Sequence, residues 1–274
     1  MRGFPPTASI QIGQSSFDYL VAGANKPSVV LINGSGGPIE GWHKLFGALS
    51  KSSTTFAYNR PGLGRSTKPT RPQTASAMVE DLHALLRTLQ VPKPWVLVGH
   101  SFGGLVANLF ARQHPSEVCG GVMLEATAPD DVSVLRQYET NLQKAVAWIA
   151  NRLLPLDRYH ETLHAADSVA ELSAAPTFPP IPLTVITGSK PAMARATNSK
   201  ARALRAQHQR SLVALSPLGK QIVATKSGHF PQFTEPDLVL SVIQALNAET
   251  QAYSAAKQDK EPHSRASPCS CPLR

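Results

Sequence analysis

The stretch from Trp95 to Ala107 places the strongest constraint on how this chain can fold. An apolar run typical of a buried strand leads directly into Gly99–Gly103 (G-H-S-F-G), and a helical pattern follows. The G-x-S-x-G motif presents a serine on a sharp strand-to-helix turn, where glycines avoid the clash of a Cβ. The first N–H groups of the helix suit a developing oxyanion. We therefore predict that Ser101 is a nucleophile; the alternative is a glycine-rich turn whose serine only caps the helix.

The rest of the chain alternates between strand and helix patterns. Runs rich in β-branched residues predict strands at 7–12, 17–21, 28–32, 54–58, 95–98, 121–124, 183–187 and 221–224. Apolar periodicity predicts helices at about 39–50, 74–90, 101–114, 192–210 and from 234 onward. The basic face of the 192–210 helix is interpreted as solvated. Strands that alternate with helices form βαβ units, so the predicted fold class is α/β with a mostly parallel sheet.

Two segments depart from this alternation. Between 130 and 180 no strand pattern occurs, and apolar stripes at 135–153 and, more weakly, 160–174 predict helices. This stretch is predicted to be a helical cap insertion and a candidate lid; the alternative is two helices packed into the main domain. From 249 to 274 polar residues dominate without periodicity, which predicts a disordered tail. The predicted core is therefore 1–129 together with 181–248.

The composition limits the classes of partner. The 274 residues are 42% hydrophobic and carry a formal net charge of +9. Lys and Arg are not interleaved with aromatic residues, so we expect no nucleic-acid partner. Three cysteines, Cys119, Cys269 and Cys271, do not make a disulfide framework. No apolar run approaches the length of a membrane span and no apolar leader begins the chain, so we expect no membrane span and a cytoplasmic location.

His229 is the best candidate for the base that a serine nucleophile needs. It lies in a loop after the predicted strand 221–224. Loops at the carboxyl ends of parallel strands meet at one sheet edge, where Ser101 is also expected. The alternative is a loop histidine bonded to backbone. His100 adjoins the serine, but neighbours along a turn point apart, so we expect it to have a structural role.

The acid that would orient the histidine is inferred by exclusion. No Asp or Glu occurs at positions 172–234, so the loop after the strand 183–187 offers no carboxylate. The preceding strand ends at Glu125, and we expect this residue to be the acid because it faces the same edge. Asp130 is the alternative acid. The non-catalytic interpretation of Glu125 is an ion pair with one of the many basic residues.

Backbone N–H groups are predicted to hold the oxyanion. One belongs to Phe102, directly after the nucleophile, and the other to Ser35 in the glycine-rich loop 33–38, with Gly36 as the alternative. This loop lacks the G-K-[ST] ending of a phosphate-binding loop, so phosphate binding is not expected.

Four segments resemble motifs of the α/β-hydrolase superfamily in its order and at its spacings. They are the loop 33–38, N-R-P-G-L-G-R-S at 59–66, G-H-S-F-G-G at 99–104 and S-G-H-F at 227–230. The resemblance covers about 7–248. It implies a twisted sheet of about eight strands, helices on both faces, a variable cap, and acyl transfer that uses no cofactor.

Two positions depart from the family pattern. Asn33 stands where the family usually has His before Gly34, which should leave the backbone donors intact. The acid usually found after the strand preceding the histidine's strand is absent. Leu124-Glu125-Ala126 resembles the Glu-Ala that some haloalkane dehalogenases carry one strand earlier. Those enzymes use an Asp nucleophile, whereas Ser101 indicates an esterase-type reaction.

These features together predict a serine hydrolase that cleaves a carboxylic ester, or an amide or C–C bond, of a small-molecule substrate. An acyl-enzyme would form on Ser101, with His229 and Glu125 completing the triad. One alternative is a non-catalytic protein of the same fold that binds a small molecule or a partner. Another is a zinc protease using H-E-x-x-H at 160–164 (His160, Glu161 and His164), although no convincing third ligand follows and we expect no metal.

Overall fold

The computed structural model describes residues 4–134, 161–190 and 199–258, and within these ranges eight strands form one sheet. The strands are β1 (Ala8–Ile12), β2 (Ser15–Ala22), β3 (Ser28–Ile32), β4 (Thr55–Tyr58), β5 (Trp95–His100), β6 (Val118–Leu124), β7 (Leu183–Gly188) and β8 (Gly219–Ala224). Their spatial order is β1-β2-β4-β3-β5-β6-β7-β8. The β1–β2 and β2–β4 pairs are antiparallel and all the others are parallel. The predicted fold class is therefore confirmed.

Helices pack on both faces of this sheet. They are α1 (Phe46–Leu49), α2 (Ala75–Thr88), α3 (Gly103–Gln113), α4 (Pro129–Val134), α5 (Ala165–Ala174), α6 (Ser199–Val213), α7 (Pro231–Thr234) and α8 (Pro236–Gln258), with 3₁₀ turns at Ile39–Trp42 and Glu161–His164. Side chains of α2, α3, α5 and α6 form one apolar cluster with the sheet, and those of α1 and α8 form another. Alternate residues of β3 enter the two clusters, as the two-residue period of a strand requires.

The order of the central strands places a topological switch point between β3 and β5. From β3 the chain first crosses to β4 on one side, and it then returns to β5 on the other side. The loops that leave β3 and β5 therefore diverge at their carboxyl ends. The carboxyl end of the strands at such a switch point is the usual ligand site of open parallel sheets.

The helix predicted over 39–50 is interrupted in the structure. A 3₁₀ turn covers Ile39–Trp42 and α1 begins only at Phe46. Gly41 and Gly47 weaken a continuous helix because glycine costs about 1 kcal/mol relative to alanine in a helix interior. Burial of Trp42 and Phe46 against the sheet holds the two short turns in place.

The last helix continues through Gln258, so the prediction of a disordered tail from 249 is wrong for its first ten positions. Tertiary contacts of polar residues hold this end. Asn247 Nδ2 donates to Ser53 Oγ at 2.8 Å, and Thr250 is 2% exposed. Gln251 Nε2 donates to Lys26 O at 2.6 Å. The remainder of the predicted tail, 259–274, lies outside the described residues.

The end of the predicted insertion packs on the main domain. In α5, Ser168 Oγ accepts a hydrogen bond from Ala75 N at 2.9 Å, and Glu171 Oε2 accepts one from Ser76 N at 2.8 Å. These contacts satisfy free N–H groups at the start of α2. The apolar stripe predicted at 135–153 lies outside the described residues. In the ranges that the structure describes, no helix is both long enough and apolar enough to cross a membrane.

Candidate active site

Ser101 occupies the turn between β5 and α3 in a left-handed conformation, with φ of +51°. Its N–H donates to Leu124 O at 3.1 Å, and its carbonyl accepts from Gly104 N at 2.9 Å and Thr127 N at 3.0 Å. A positive φ is uncommon for a non-glycine residue and is found where surrounding bonds enforce it. The turn thus has the backbone geometry that the G-x-S-x-G motif predicts.

Two glycines allow the segments around this turn to approach closely. A Cβ on Gly103 would lie 2.3 Å from Ile32 O and 2.5 Å from Asn33 O, which brings α3 against the end of β3. A Cβ on Gly34 would lie 2.9 Å from Ser101 Cβ. The loop after β3 therefore passes directly beside the serine.

His229 lies within hydrogen-bonding distance of Ser101. Its Nε2 is 3.0 Å from Ser101 Oγ, and it occupies the loop between β8 and α7. The backbone carbonyl of His229 accepts a 2.8 Å hydrogen bond from His100 Nε2. The sequence predicts a structural role for His100, and this hydrogen bond supplies one. It fixes the loop that carries the imidazole of His229.

Glu125 follows β6 and is 7% exposed at its side chain, with φ of +44°. Its Oε1 accepts a 2.6 Å hydrogen bond from Gly188 N. Its Oε2 lies 3.5 Å from His229 Nδ1, the outer limit of a hydrogen bond. Asp130, the alternative acid, is exposed on α4. The structure therefore brings Ser101, His229 and Glu125 together.

Sequence reasoning missed Arg205, which binds both Glu125 and Asp131. Its Nη2 lies 2.9 Å from Glu125 Oε2, and its Nη1 lies 2.9 Å from Asp131 Oδ2. His208, one turn further along α6, places Nδ1 2.8 Å from Asp131 Oδ1. The interpretation of the basic face of this helix as solvated is therefore wrong at Arg205, which pairs inward as His208 does. Their spacing of three residues puts both on one side of the helix, but no sequence signal identified their partners.

The surroundings of Glu125 favour its ionised form. Burial alone would raise the pKa of this carboxyl, but the hydrogen bond with His229, the charge and hydrogen bond of Arg205, and the N–H of Gly188 outweigh burial. The net result is a pKa below its ordinary value. A carboxylate is therefore present beside the imidazole at neutral pH.

His100 is held in its neutral form by the fold. Burial lowers its pKa to about 4, with a further lowering from the nearby His229 charge, against small raising effects of the His229 carbonyl and Glu125. An unfolded chain would bind a proton at this residue from about pH 6.5 downward. Stability from this group is therefore present above about pH 6.5 and is lost as the pH falls toward 4.

We expect His100→Gln to flatten the fall in stability between pH 7 and pH 5. Gln keeps a donor for the His229 carbonyl but does not titrate, which removes about 2 kcal/mol of pH dependence by pH 5. Thermal unfolding at both pH values should show a fall in Tm smaller by about 4–8 °C in the variant. His43→Gln, at an exposed position, is the matched control. Equal falls in the wild type and His100→Gln would contradict the assignment.

The predicted oxyanion donors lie on the two segments that flank the serine. Phe102 precedes the first turn of α3. Ser35 belongs to the loop beside Ser101, and its hydroxyl is buried without a hydrogen-bond partner among the described residues. Gly36 N, the alternative donor, already donates to Glu161 Oε2 at 3.0 Å.

The H-E-x-x-H pattern does not form a metal centre among the described residues. Its Glu161 is buried and paired with Arg60 at 2.6 Å, and its His164 contacts Asp167. His160 lies outside the described residues. A protease that uses this pattern needs the glutamate free as a general base, and here an arginine engages it.

A different group of possible ligands, His83, His114 and Glu117, lies at the opposite, amino-terminal edge of the sheet. The two imidazoles stack with centroids 3.9 Å apart and planes inclined by 19°. The nitrogen lone pairs of an imidazole lie in the plane of its ring. An ion placed between two rings stacked in this way would lie outside both planes, where neither lone pair points at it. Lys93 Nζ also binds Glu117 at 2.6 Å. A surface cavity of about 620 Å³ beside these rings is likewise remote from Ser101.

Comparisons with known proteins show the family and the fold. Residues 27–175 match the family described as alpha/beta hydrolase fold. The chain belongs to the α/β-hydrolase family. Over 111 residues this α/β hydrolase is 29% identical to the Bacillus subtilis protein YqjL, covering 40% of this chain and 44% of that protein.

A second relative of this α/β hydrolase is the (lyso)-N-acylphosphatidylethanolamine lipase of Mus musculus. It is 28% identical over 140 residues, which cover 48% of this chain and 40% of the lipase. The matches thus span less than half the length of these curated relatives. The crystal structure of the enol-lactonase from Burkholderia xenovorans LB400 superposes with a TM-score of 0.64 at 18% identity, covering 87% of this chain and 99% of that chain. This likeness shows the shared fold.

Proposed function

We propose that this α/β hydrolase cleaves a carboxylic ester, or an amide, of a small molecule through an acyl-enzyme on Ser101. The proposal rests on one observation: Ser101 Oγ lies 3.0 Å from His229 Nε2, at the carboxyl edge of the sheet. A hydroxyl is a weak nucleophile, and an imidazole at this distance is placed to take its proton. The lipase name of the mouse relative supports the same reaction class.

In this mechanism Ser101 Oγ attacks the acyl carbon while His229 Nε2 takes the hydroxyl proton. The tetrahedral intermediate collapses, and the imidazolium gives that proton to the leaving alcohol or amine. Water then attacks the acyl-enzyme with His229 again as base, which releases the acid and restores the serine. Glu125 holds the imidazole with Nε2 toward the serine and stabilises the imidazolium through its charge.

The N–H groups of Phe102 and Ser35 would hold the oxyanion during both steps. Phe102 N stands at the start of α3, where the helix dipole favours negative charge. Ser35 lies in the loop whose Gly34 approaches Ser101 Cβ. The Ser35 hydroxyl, which is buried and has no hydrogen-bond partner in the described part of the chain, supports a ligand at this place, because an unpaired buried polar group costs free energy.

We further propose the domain organisation that accompanies this function. Residues 1–129 and 181–248 would form the catalytic core, and 130–180 the cap that shapes the acyl pocket. Phe178, at 8% exposure, packs into the apolar cluster of α2 and α3. The end of the cap would then be anchored to the core, next to α3, the helix that follows the nucleophile turn.

The proposal is tested with a fluorophosphonate probe and a series of p-nitrophenyl esters of graded acyl length. We expect the probe to label Ser101 covalently, as located by peptide mass spectrometry. We also expect the esters to be hydrolysed, with a burst of p-nitrophenol if deacylation limits the rate. A protein that takes no label and hydrolyses none of the esters would be the non-catalytic binding protein instead.

A further inference from the structure

A buried ion pair joins the glycine-rich loop to the segment that begins at residue 161. The side chains of Arg60 and Glu161 are 2% and 4% exposed. Arg60 Nε donates to Glu161 Oε1 at 2.6 Å, and Nη2 donates to Oε2 at 2.8 Å. A two-point contact of this kind fixes the guanidinium plane as well as its position.

Both partners also bind the backbone of the loop after β3. Arg60 Nη1 donates to Asn33 O at 2.7 Å, and its Nη2 donates to Gly34 O. Glu161 Oε2 accepts from Gly36 N at 3.0 Å. Thus the backbone groups on both sides of Ser35 are occupied by one ion pair.

The carbonyl of Gly34 and the N–H of Ser35 belong to the same peptide group. A trans peptide is planar, and its C=O and N–H point in opposite directions. Arg60 holds this carbonyl, so the Ser35 N–H points away from the guanidinium. The positive charge on the carbonyl side also polarises the amide and strengthens its N–H as a donor. Gly34 itself lies against Ser101.

We propose that Arg60 and Glu161 are positioning residues for the oxyanion site, and this inference rests on the proposed function. Arg60 orients the peptide that carries the Ser35 N–H. Glu161 neutralises the charge of Arg60, fixes its guanidinium and accepts the hydrogen bond of Gly36 N. Because Glu161 lies within the predicted cap, the oxyanion site is complete only when this part of the cap is docked on the loop.

Arg60→Lys and Glu161→Gln test the proposal in the full-length chain. Lysine keeps the charge but lacks the planar fork, so it cannot hold the two carbonyls and the carboxylate together. We expect kcat for a p-nitrophenyl ester to fall by about 10²-fold, the lower end of the loss of one oxyanion donor, with KM changed less than about threefold. Like Arg60→Lys, Glu161→Gln should lower kcat.

Inhibition by a phenylboronic acid supplies a measurement that a general loss of stability would not change. Its tetrahedral adduct with the serine places an oxygen in the oxyanion site, so its affinity should fall in parallel with kcat/KM. The affinity for the product carboxylate should change little. Arg71→Lys is the control for the same substitution outside the site, since Arg71 likewise binds side-chain carboxylates and a backbone carbonyl, that of Ala77.

The outcomes separate the two proposals. Wild-type protein that hydrolyses no ester would overturn the proposed function and this inference with it. Active wild type together with Arg60→Lys that keeps kcat and boronate affinity within twofold would overturn the inference alone. An effect of Arg60→Lys without one of Glu161→Gln would remove Glu161, and hence the cap, from the positioning role.

Discussion

Ser101→Ala is expected to reduce ester turnover by about 10⁴-fold or more. Without the hydroxyl no acyl-enzyme forms, and the remaining groups can only bind substrate and stabilise attack by water. The backbone of the turn is held by hydrogen bonds of Ser101 N and O to Leu124, Gly104 and Thr127, and alanine retains all three. The loss should therefore appear in kcat with little change in stability. Initial rates and thermal unfolding of both proteins measure the two quantities.

His229→Ala gives the complementary measurement. If the two residues act as one unit, the double variant should lose little more than either single variant, because removal of one already stops acylation. Additive losses would indicate separate roles. Ser173→Ala is the control for loss of a serine hydroxyl, since Ser173 Oγ is exposed on α5 and donates to Val169 O away from the site. Ser101→Ala with turnover within tenfold of wild type would eliminate the acyl-enzyme mechanism.

The sequence predicted those features that depend on local periodicity and on residues close in the chain. The apolar spacing predicted a helix over 74–90, and α2 covers Ala75–Thr88. Ser101 lies between a buried strand and a helix because its neighbours specify both elements. That His229 would lie at the same edge of the sheet could be predicted too, because the carboxyl ends of parallel strands meet there.

The residues that sequence reasoning missed are those whose partners are far away along the chain. Arg60 and Glu161 are 101 positions apart, and Arg205 and Glu125 are 80 apart. The sequence of a basic helix does not indicate which arginine will form an ion pair with the core. The pairing depends on carboxylates that the folded sheet brings close to the helix. The end of α8 is similar: Asn247 is stabilised by Ser53, which its own helix cannot supply.

Glu125→Gln is expected to lower kcat by up to about 10⁴-fold. Glutamine can still accept the hydrogen bond of Gly188 N, so the strand end should remain in place. Its amide, however, has no charge to stabilise the imidazolium, and its N–H₂ group would face the donors of His229 and Arg205. The imidazole would then favour the tautomer with its proton on Nε2, directed at Ser101 and unable to accept from it.

Asp130→Asn is the matched control for this variant, because it removes one carboxylate charge from an exposed position only five residues along the chain. We expect its kcat to stay within about twofold of wild type. Full activity of Glu125→Gln together with a large loss in Asp130→Asn would reverse the assignment of the acid. Stability must be measured alongside, because Arg205 would lose one of its two carboxylates in Glu125→Gln and keep only Asp131. If the variant is folded and is assayed well below its Tm, unfolding cannot explain a lower kcat. The lost carboxylate charge beside His229 is then the cause of the lower kcat.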